Sequence, residues 1–228
     1  MKSLNHVAII LDGNGRWGIK NKGKRNLGHK AGLKNLEIIV NHTIKKSIKF
    51  LTLYVFSTEN WKRPLTEINF LFNLLESFLD KNIKKLNKKH IRLKFIGSIK
   101  NLPDKLIKKI KFSEKLTRAN KLLQVNIALN YGSKDEILFA MKNLKKKNLN
   151  FTMKNFENNL YTNEIPDPDI LIRTGNTKRL SNFLLWQIAY SEIFFVKKLW
   201  PDFSDKDFDQ IIKYYYKIDR RYGGLDEK

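Results

Sequence analysis

Apolar residues follow two rhythms along this chain, short unbroken runs and longer stretches at helical spacing, and the two alternate. Residues 7–11 form a continuous apolar run closed by Asp12-Gly13, which predicts a buried parallel strand with a turn behind it. A glycine-rich loop is expected next. From residue 28 to about 46, Ala31, Leu33, Leu36, Ile39, Val40 and Ile44 recur at helical spacing, with lysines gathering at the end. Residues 50–56 predict a second buried strand, ended by the polar string Ser57 to Pro64. A helix over 66–89 follows, apolar nearly all round in its first half. Further strands are predicted at 91–96, 122–129, 169–173 and 193–196. Helices are predicted from Pro103, over 133–144, over 183–190 as a short piece, and over 204–216; residues 145–163 read as a surface connection.

Strands alternating with helices predict an α/β fold, a central, mostly parallel six-stranded sheet flanked by helices, as a single domain over 1–228. In such sheets ligands bind beyond the carboxyl ends of the strands, so the loops after strands are where chemistry is expected. The chain has no cysteine, which excludes disulfides, thiolate metal sites and cysteine nucleophiles, and suits a cytoplasmic setting. Residues 1–6 lead into the first strand without the pattern of a signal peptide, and no apolar run approaches the roughly 20 residues that span a bilayer. The formal charge of +23 raises polyanions as partners. The lysines are scattered among asparagines and isoleucines and read as solvated helix faces; no nucleic acid is expected as a partner.

Three post-strand loops carry candidate chemistry. The first offers Asp12, Gly13, Asn14, Gly15, Arg16 and Trp17, with Arg25 and His29 soon after. Glycines let backbone N–H groups approach phosphate oxygens, and arginine binds phosphate through two parallel hydrogen bonds. Asp12 would repel that phosphate unless magnesium, which takes few carboxylates and completes its shell with phosphate oxygens, bridged the two. On spacing alone the segment serves equally as an ordinary turn. The second loop supplies Ser57, Thr58, Glu59, Asn60, Trp61 and Arg63, and the third Arg173, Arg179, Leu180 and Ser181, with Glu192 farther on as a possible second magnesium ligand. No Gly-Lys-Ser/Thr ends the first loop, so it is not a Walker-type nucleotide site.

The motifs His6 to Trp17, Gly28-His29-Lys30-Ala31-Gly32, Phe56 to Pro64, Asn130-Tyr131-Gly132, Ile172 to Gly175, Arg179 to Gln187 and Leu199 to Phe203, in this order, resemble the cis-prenyltransferases, and closely the bacterial undecaprenyl diphosphate synthases. The resemblance implies a homodimeric, magnesium-dependent transferase that condenses isopentenyl diphosphate repeatedly onto farnesyl diphosphate with cis double bonds. It gives Asp12 and Glu192 to the metal and Asn60 to proton removal. Gly13, Asn14, Gly15, Arg16, Arg25 and His29 would receive the allylic diphosphate, and Arg173, Arg179, Leu180 and Ser181 the isopentenyl diphosphate. Trp17, Ser57, Thr58, Glu59, Trp61 and Arg63 would line the cleft. The helix over 68–79 would flank a hydrophobic tunnel, and Arg220 to Gly224 resembles the family's end motif near a neighbouring subunit's site. Asn176-Thr177-Lys178 departs from the family's usual second glycine and acid. The lysines would suit peripheral contact with anionic lipid at the inner membrane face.

Overall fold

The computed structural model describes residues 3–219, so the end motif 220–224 lies outside the described residues. The strands are β1 (His6–Ile10), β2 (Phe50–Ser57), β3 (Ile91–Ile96), β4 (Leu123–Tyr131), β5 (Ile170–Arg173) and β6 (Glu192–Phe195). They form one sheet in the order β3-β4-β2-β1-β5-β6, and every pairing is parallel. Burial on both faces explains the apolar run of β1; β4 is buried along its whole length as well, with Gln124, Asn126 and Asn130 hydrogen-bonded inside it.

The helices are α1 (Asn14–Lys22), α2 (Arg25–Lys45), α3 (Leu65–Lys88), α4 (Asp104–Thr117), α5 (Ser133–Lys146), α6 (Met153–Glu157) and α7 (Asp205–Tyr215). The larger core lies between the sheet and α2, α3, α4 and α7. There α3 alone buries Ile68, Phe72, Leu75, Leu79 and Ile83, each worth roughly 1.5–3 kcal/mol. A smaller core on the other face gathers Tyr54, Tyr131, Ile165, Phe183 and Ile188. A buried polar chain crosses that sheet: Asn126 donates to Thr52 Oγ1 at 2.9 Å, and Thr52 Oγ1 lies 2.7 Å from His6 Nε2. His6 Nδ1 is 2.6 Å from the carbonyl of Pro166. Burial pushes His6 down to about 4 despite these partners, so the ring is neutral at neutral pH. No helix among the described residues is long and apolar enough to cross a membrane.

Three expectations change. Residues 14–22 are a helix, not a glycine-rich loop. Its Gly18 and the Gly28 of α2 meet so closely that a Cβ on Gly28 would lie 1.8 Å from the carbonyl oxygen of Asn14. The glycines that weaken the local helix signal are the surfaces on which two helices cross. Residues 183–190 form turns rather than a regular helix, and Ser181, Asn182 and Leu184 take φ of +47 to +61. Long-range bonds replace the helical ladder: Gln187 donates to Glu136 and Thr162, and Phe183 stacks on Tyr54 at 4.3 Å. Residues 145–163 include the short α6, capped by Thr152.

Candidate active site

The carboxyl ends of β1, β2 and β5 lie side by side, since Ile10 pairs with both Tyr54 and Arg173. Asp12 follows β1 at this edge. Gly13 turns the chain with φ +110, a conformation glycine adopts freely, and a Cβ there would collide with Leu199 at 2.8 Å. α1 then begins with no side-chain cap and no acid in its first turn, leaving its first backbone N–H groups for an anion. Arg16 donates to Asp12 Oδ1 at 3.1 Å and to the carbonyl of Gly175 at 2.7 Å. The Asn14 amide donates to Leu11 O, while its oxygen is buried without a partner against Gly32.

Arg25, His29 and Arg63 gather around Glu67, in the first turn of α3. Arg25 Nε and Arg63 Nη1 each donate to its carboxylate at 3.2 Å. His29 Nε2 lies 3.5 Å from it without an aligned hydrogen bond. Burial holds His29 below its ordinary value against the opposing pull of Glu67. Burial pushes the Glu67 carboxyl up, but Arg25, Arg63 and His29 outweigh it and leave it below the usual range. Sequence reasoning placed Glu67 only as a helix start. A carboxylate four residues after Arg63 was the signal available.

On the other side of Asp12, Arg173 is 3% exposed. Its guanidinium donates to Asp12 Oδ2 at 2.9 Å, to Ser181 Oγ at 2.7 Å and to the carbonyl of Arg179, while its Nε is buried without a partner. Arg179 is exposed at the mouth. Tyr54 donates to the carbonyl of Ser181, and Asn182 bridges to the second loop by donating to Glu59 at 2.9 Å. Asn182 is a positioning residue that the sequence reading did not single out. Asn176 sits at φ +56, a left-handed conformation that asparagine tolerates better than most residues.

The second loop is a 3-10 turn over Thr58–Lys62. Ser57 N–H donates to Asn60 Oδ1 at 3.1 Å while the Asn60 backbone N–H is capped by the Ser57 side chain, so the carboxamide oxygen is already engaged and the free group at Asn60 is a donor. Several expected cleft residues turn elsewhere. Trp61 donates to Asn130 at 2.7 Å and packs on Phe56 and Phe72, Trp17 donates to Asp202, Thr58 to Asp135, and Leu180 borders the smaller core. Glu192 opens β6 in register with Ile170, three strand positions, roughly 10 Å, from the Arg173 level at which Asp12 sits. A parallel register puts the start of β6 at the opposite edge, so within one chain Glu192 does not join Asp12.

From this polar mouth a cavity of about 680 Å³ runs between α2, α3 and the sheet, lined by residues such as Leu36, Val40, Leu75 and Phe78, as far as Leu86 and Ile91. Its mouth holds Asp12, Arg25, His29, Arg63, Arg173 and Ser181. No cluster of three or more His, Asp or Glu side chains stands ready for a metal among the described residues. A lone carboxylate fits magnesium that arrives with a diphosphate, because this ion accepts one or two carboxylates and keeps phosphate oxygens and water as its other ligands.

Residues 10–223 match the family described as putative undecaprenyl diphosphate synthase. The ditrans,polycis-undecaprenyl-diphosphate synthase of Pasteurella multocida, described as (2E,6E)-farnesyl-diphosphate specific, is 46% identical over 97% of this chain and 95% of its own length. The crystal structure of a probable undecaprenyl diphosphate synthase from Campylobacter jejuni superposes with a TM-score of 0.85 at 38% identity, covering 98% of this chain and all of that one. Lavandulyl diphosphate synthase from Lavandula x intermedia, solved with dimethylallyl diphosphate, gives 0.91 at 34% identity over 96% and 98% of the two chains. A cationic, two-sided mouth on a parallel sheet, an apolar cavity behind it and a match over nearly the whole length agree: the chain belongs to the undecaprenyl diphosphate synthase family of prenyltransferases.

Proposed function

We propose that this enzyme lengthens farnesyl diphosphate by repeated condensation with isopentenyl diphosphate, forming cis double bonds and a long polyprenyl diphosphate. The observation that carries this is the pair of cation clusters flanking Asp12 at the mouth of one apolar cavity. The first N–H groups of α1 with Arg25, His29 and Arg63 take the allylic diphosphate, displacing Glu67 from those cations. Arg173, Arg179 and Ser181 take the isopentenyl diphosphate. Fixing both partners makes the encounter effectively unimolecular, and the arginines stabilise charge that grows on the departing diphosphate. The double bond of the isopentenyl group attacks the allylic carbon, diphosphate leaves, and the proton at C2 passes to a phosphate oxygen or water oriented by the Asn60 amide. Magnesium held by Asp12 supplies further neutralisation of the leaving diphosphate. The growing hydrocarbon occupies the cavity beside α3.

A homodimer is supported by β6, the last strand of the sheet among the described residues, where Ile193 and Phe195 are exposed as are Tyr190 and Tyr214. The setting we infer is cytoplasmic, with peripheral contact at the inner membrane face. Incubation with farnesyl diphosphate, labelled isopentenyl diphosphate and magnesium, followed by chain-length analysis, is expected to show label in products much longer than the primer. Absence of incorporation, or a product stopping after one addition, would overturn the proposal.

A further inference from the structure

A helix that connects neighbouring parallel strands runs back against them, so its C-terminus comes to the N-terminal edge of the sheet. The sequence loads those C-termini with lysine: Lys45 ends α2, Lys85 and Lys88 lie in the last turn of α3, Lys115 in that of α4, Lys145 and Lys146 in that of α5. These six lysines, spread along the chain, thereby come to one pole, the edge of the sheet opposite the diphosphate mouth.

α3 and α4 run side by side in one direction, since Lys105 pairs with Glu76 at 3.3 Å and Lys109 with Asp80. Their ends meet where Asn120 donates to Asn87 at 3.0 Å and to the carbonyl of Ile91 at 2.8 Å. The next turns set Lys84 and Lys88 level with Lys111 and Lys115. All four are exposed and enter none of the ion pairs among the described residues. Nearby acids are engaged: Glu37 holds Lys85, Asp209 holds Lys46, and Glu114 accepts from the Phe95 backbone. Among the lysines stands Phe112, 59% exposed, with Leu116 and Leu122 also uncovered. The apolar cavity runs toward the same pole, where Leu86, Lys89 and Ile91 line its far end.

We infer that this pole, the C-terminal halves of α3 and α4 around Phe112, docks on an anionic phospholipid bilayer. Ammonium groups meet the anionic headgroups, and Phe112 and Leu116 enter the interface. Nucleic acid would use the same lysines, but the leucines beside Phe112 offer insertion among acyl chains and no face for base stacking. Docking itself is independent of catalysis. Only its benefit, a hydrocarbon tail released beside lipid, rests on the function proposed above.

The test is flotation of the full chain with vesicles of phosphatidylcholine alone or with about a third phosphatidylglycerol. Binding is expected to the anionic vesicles only and to fall as salt rises. Combined Lys84→Glu, Lys88→Glu, Lys111→Glu and Lys115→Glu is expected to weaken it on the order of 100-fold, and Phe112→Ser about tenfold, with the circular dichroism and turnover of soluble substrates unchanged. A matched reversal of Lys20, Lys154, Lys197 and Lys206 is expected to change binding less than about threefold. Equal loss in that control, or no preference for anionic vesicles, overturns the assignment. So does retention of single-stranded RNA that the first variant loses while vesicles go unbound.

Discussion

The two cation clusters that flank Asp12 are built by opposite means. The first is assembled from helix ends: α1 and α2 contribute free N–H groups and Arg25, Arg63 arrives just before α3, and one partly exposed carboxylate, Glu67, balances the cations. The second is assembled from irregular backbone. Arg173 is buried against Asp12 and Ser181, and the strained turns after it are held by Tyr54, Glu59, Gln187 and Glu136. Burial pushes the Glu136 carboxyl up even as the Tyr131 hydroxyl and Gln187 hydrogen-bond to it. On the proposed reading the first cluster exchanges Glu67 for a phosphate without unpacking a core. The second cannot move without disturbing a core. Binding and folding are therefore separable on one side of Asp12 and coupled on the other.

The largest effect that tests this difference is Arg173→Ala, which removes a buried cation and leaves Asp12 Oδ2, Ser181 Oγ and the Arg179 carbonyl without their shared donor. A loss of about 3 kcal/mol in urea unfolding is expected, together with a fall of at least about 100-fold in kcat/KM. Arg25→Ala, by contrast, is expected to raise the KM for the allylic diphosphate while costing under about 1 kcal/mol of stability, because its pair with Glu67 is exposed. Equal stability losses in the two variants would erase the distinction.

Acid provides the next test. His6 is neutral in the folded protein down to about pH 4, whereas the unfolded chain binds that proton from about pH 6.5 downward. The unfolded state therefore holds more protons between these values, so stability falls as pH drops through the window, by about 3 kcal/mol at its foot. Because His6 also holds the carbonyl of Pro166 ahead of β5, the loss should reach the Arg173 side first. Urea titrations of the wild type and His6→Gln from pH 7 to 4 are expected to show the slope flattened in the variant.

Gly28→Ala probes the first site through packing. The added methyl would strike the Asn14 carbonyl, so a cost of about 1–3 kcal/mol and a displaced α1 are expected, with allylic diphosphate affinity falling while isopentenyl diphosphate affinity holds. The smallest effect is that of Glu67→Gln. Losing the negative neighbour should lower the His29 pKa further, read by NMR titration of its ring, with less than about 1 kcal/mol change in stability. An upward shift of His29 would falsify the shared-carboxylate picture.

Much of this was legible beforehand, for reasons that differ by element. The buried strands announced themselves as apolar runs, and α2 and α3 by their spacing, because each signal is complete within a dozen residues. Asp12, Arg16, Arg173 and Ser181 were recognisable because post-strand loops must converge at one edge of a parallel sheet. α1 was missed because Gly18 and Gly28 serve a helix crossing that exists only after folding. Trp61 was given to the cleft because nothing local tells an aromatic that lines a site from one that fills a core. Glu192 was grouped with Asp12 on chemistry alone, which does not reveal register; within one chain register sets it at the far edge of the sheet.

The sequence by itself determined the order of strands and helices along the chain, the charged and polar residues of the post-strand loops, and the lysines at helix ends. These depend on neighbours along the chain. Tertiary structure alone decided that Arg25, His29 and Arg63 share Glu67, that Arg173 locks Asp12, and that the lysines ending α2, α3 and α4 meet at one edge of the sheet. Those facts depend on register, helix direction and burial, and none of the three has a value until distant segments pack against each other.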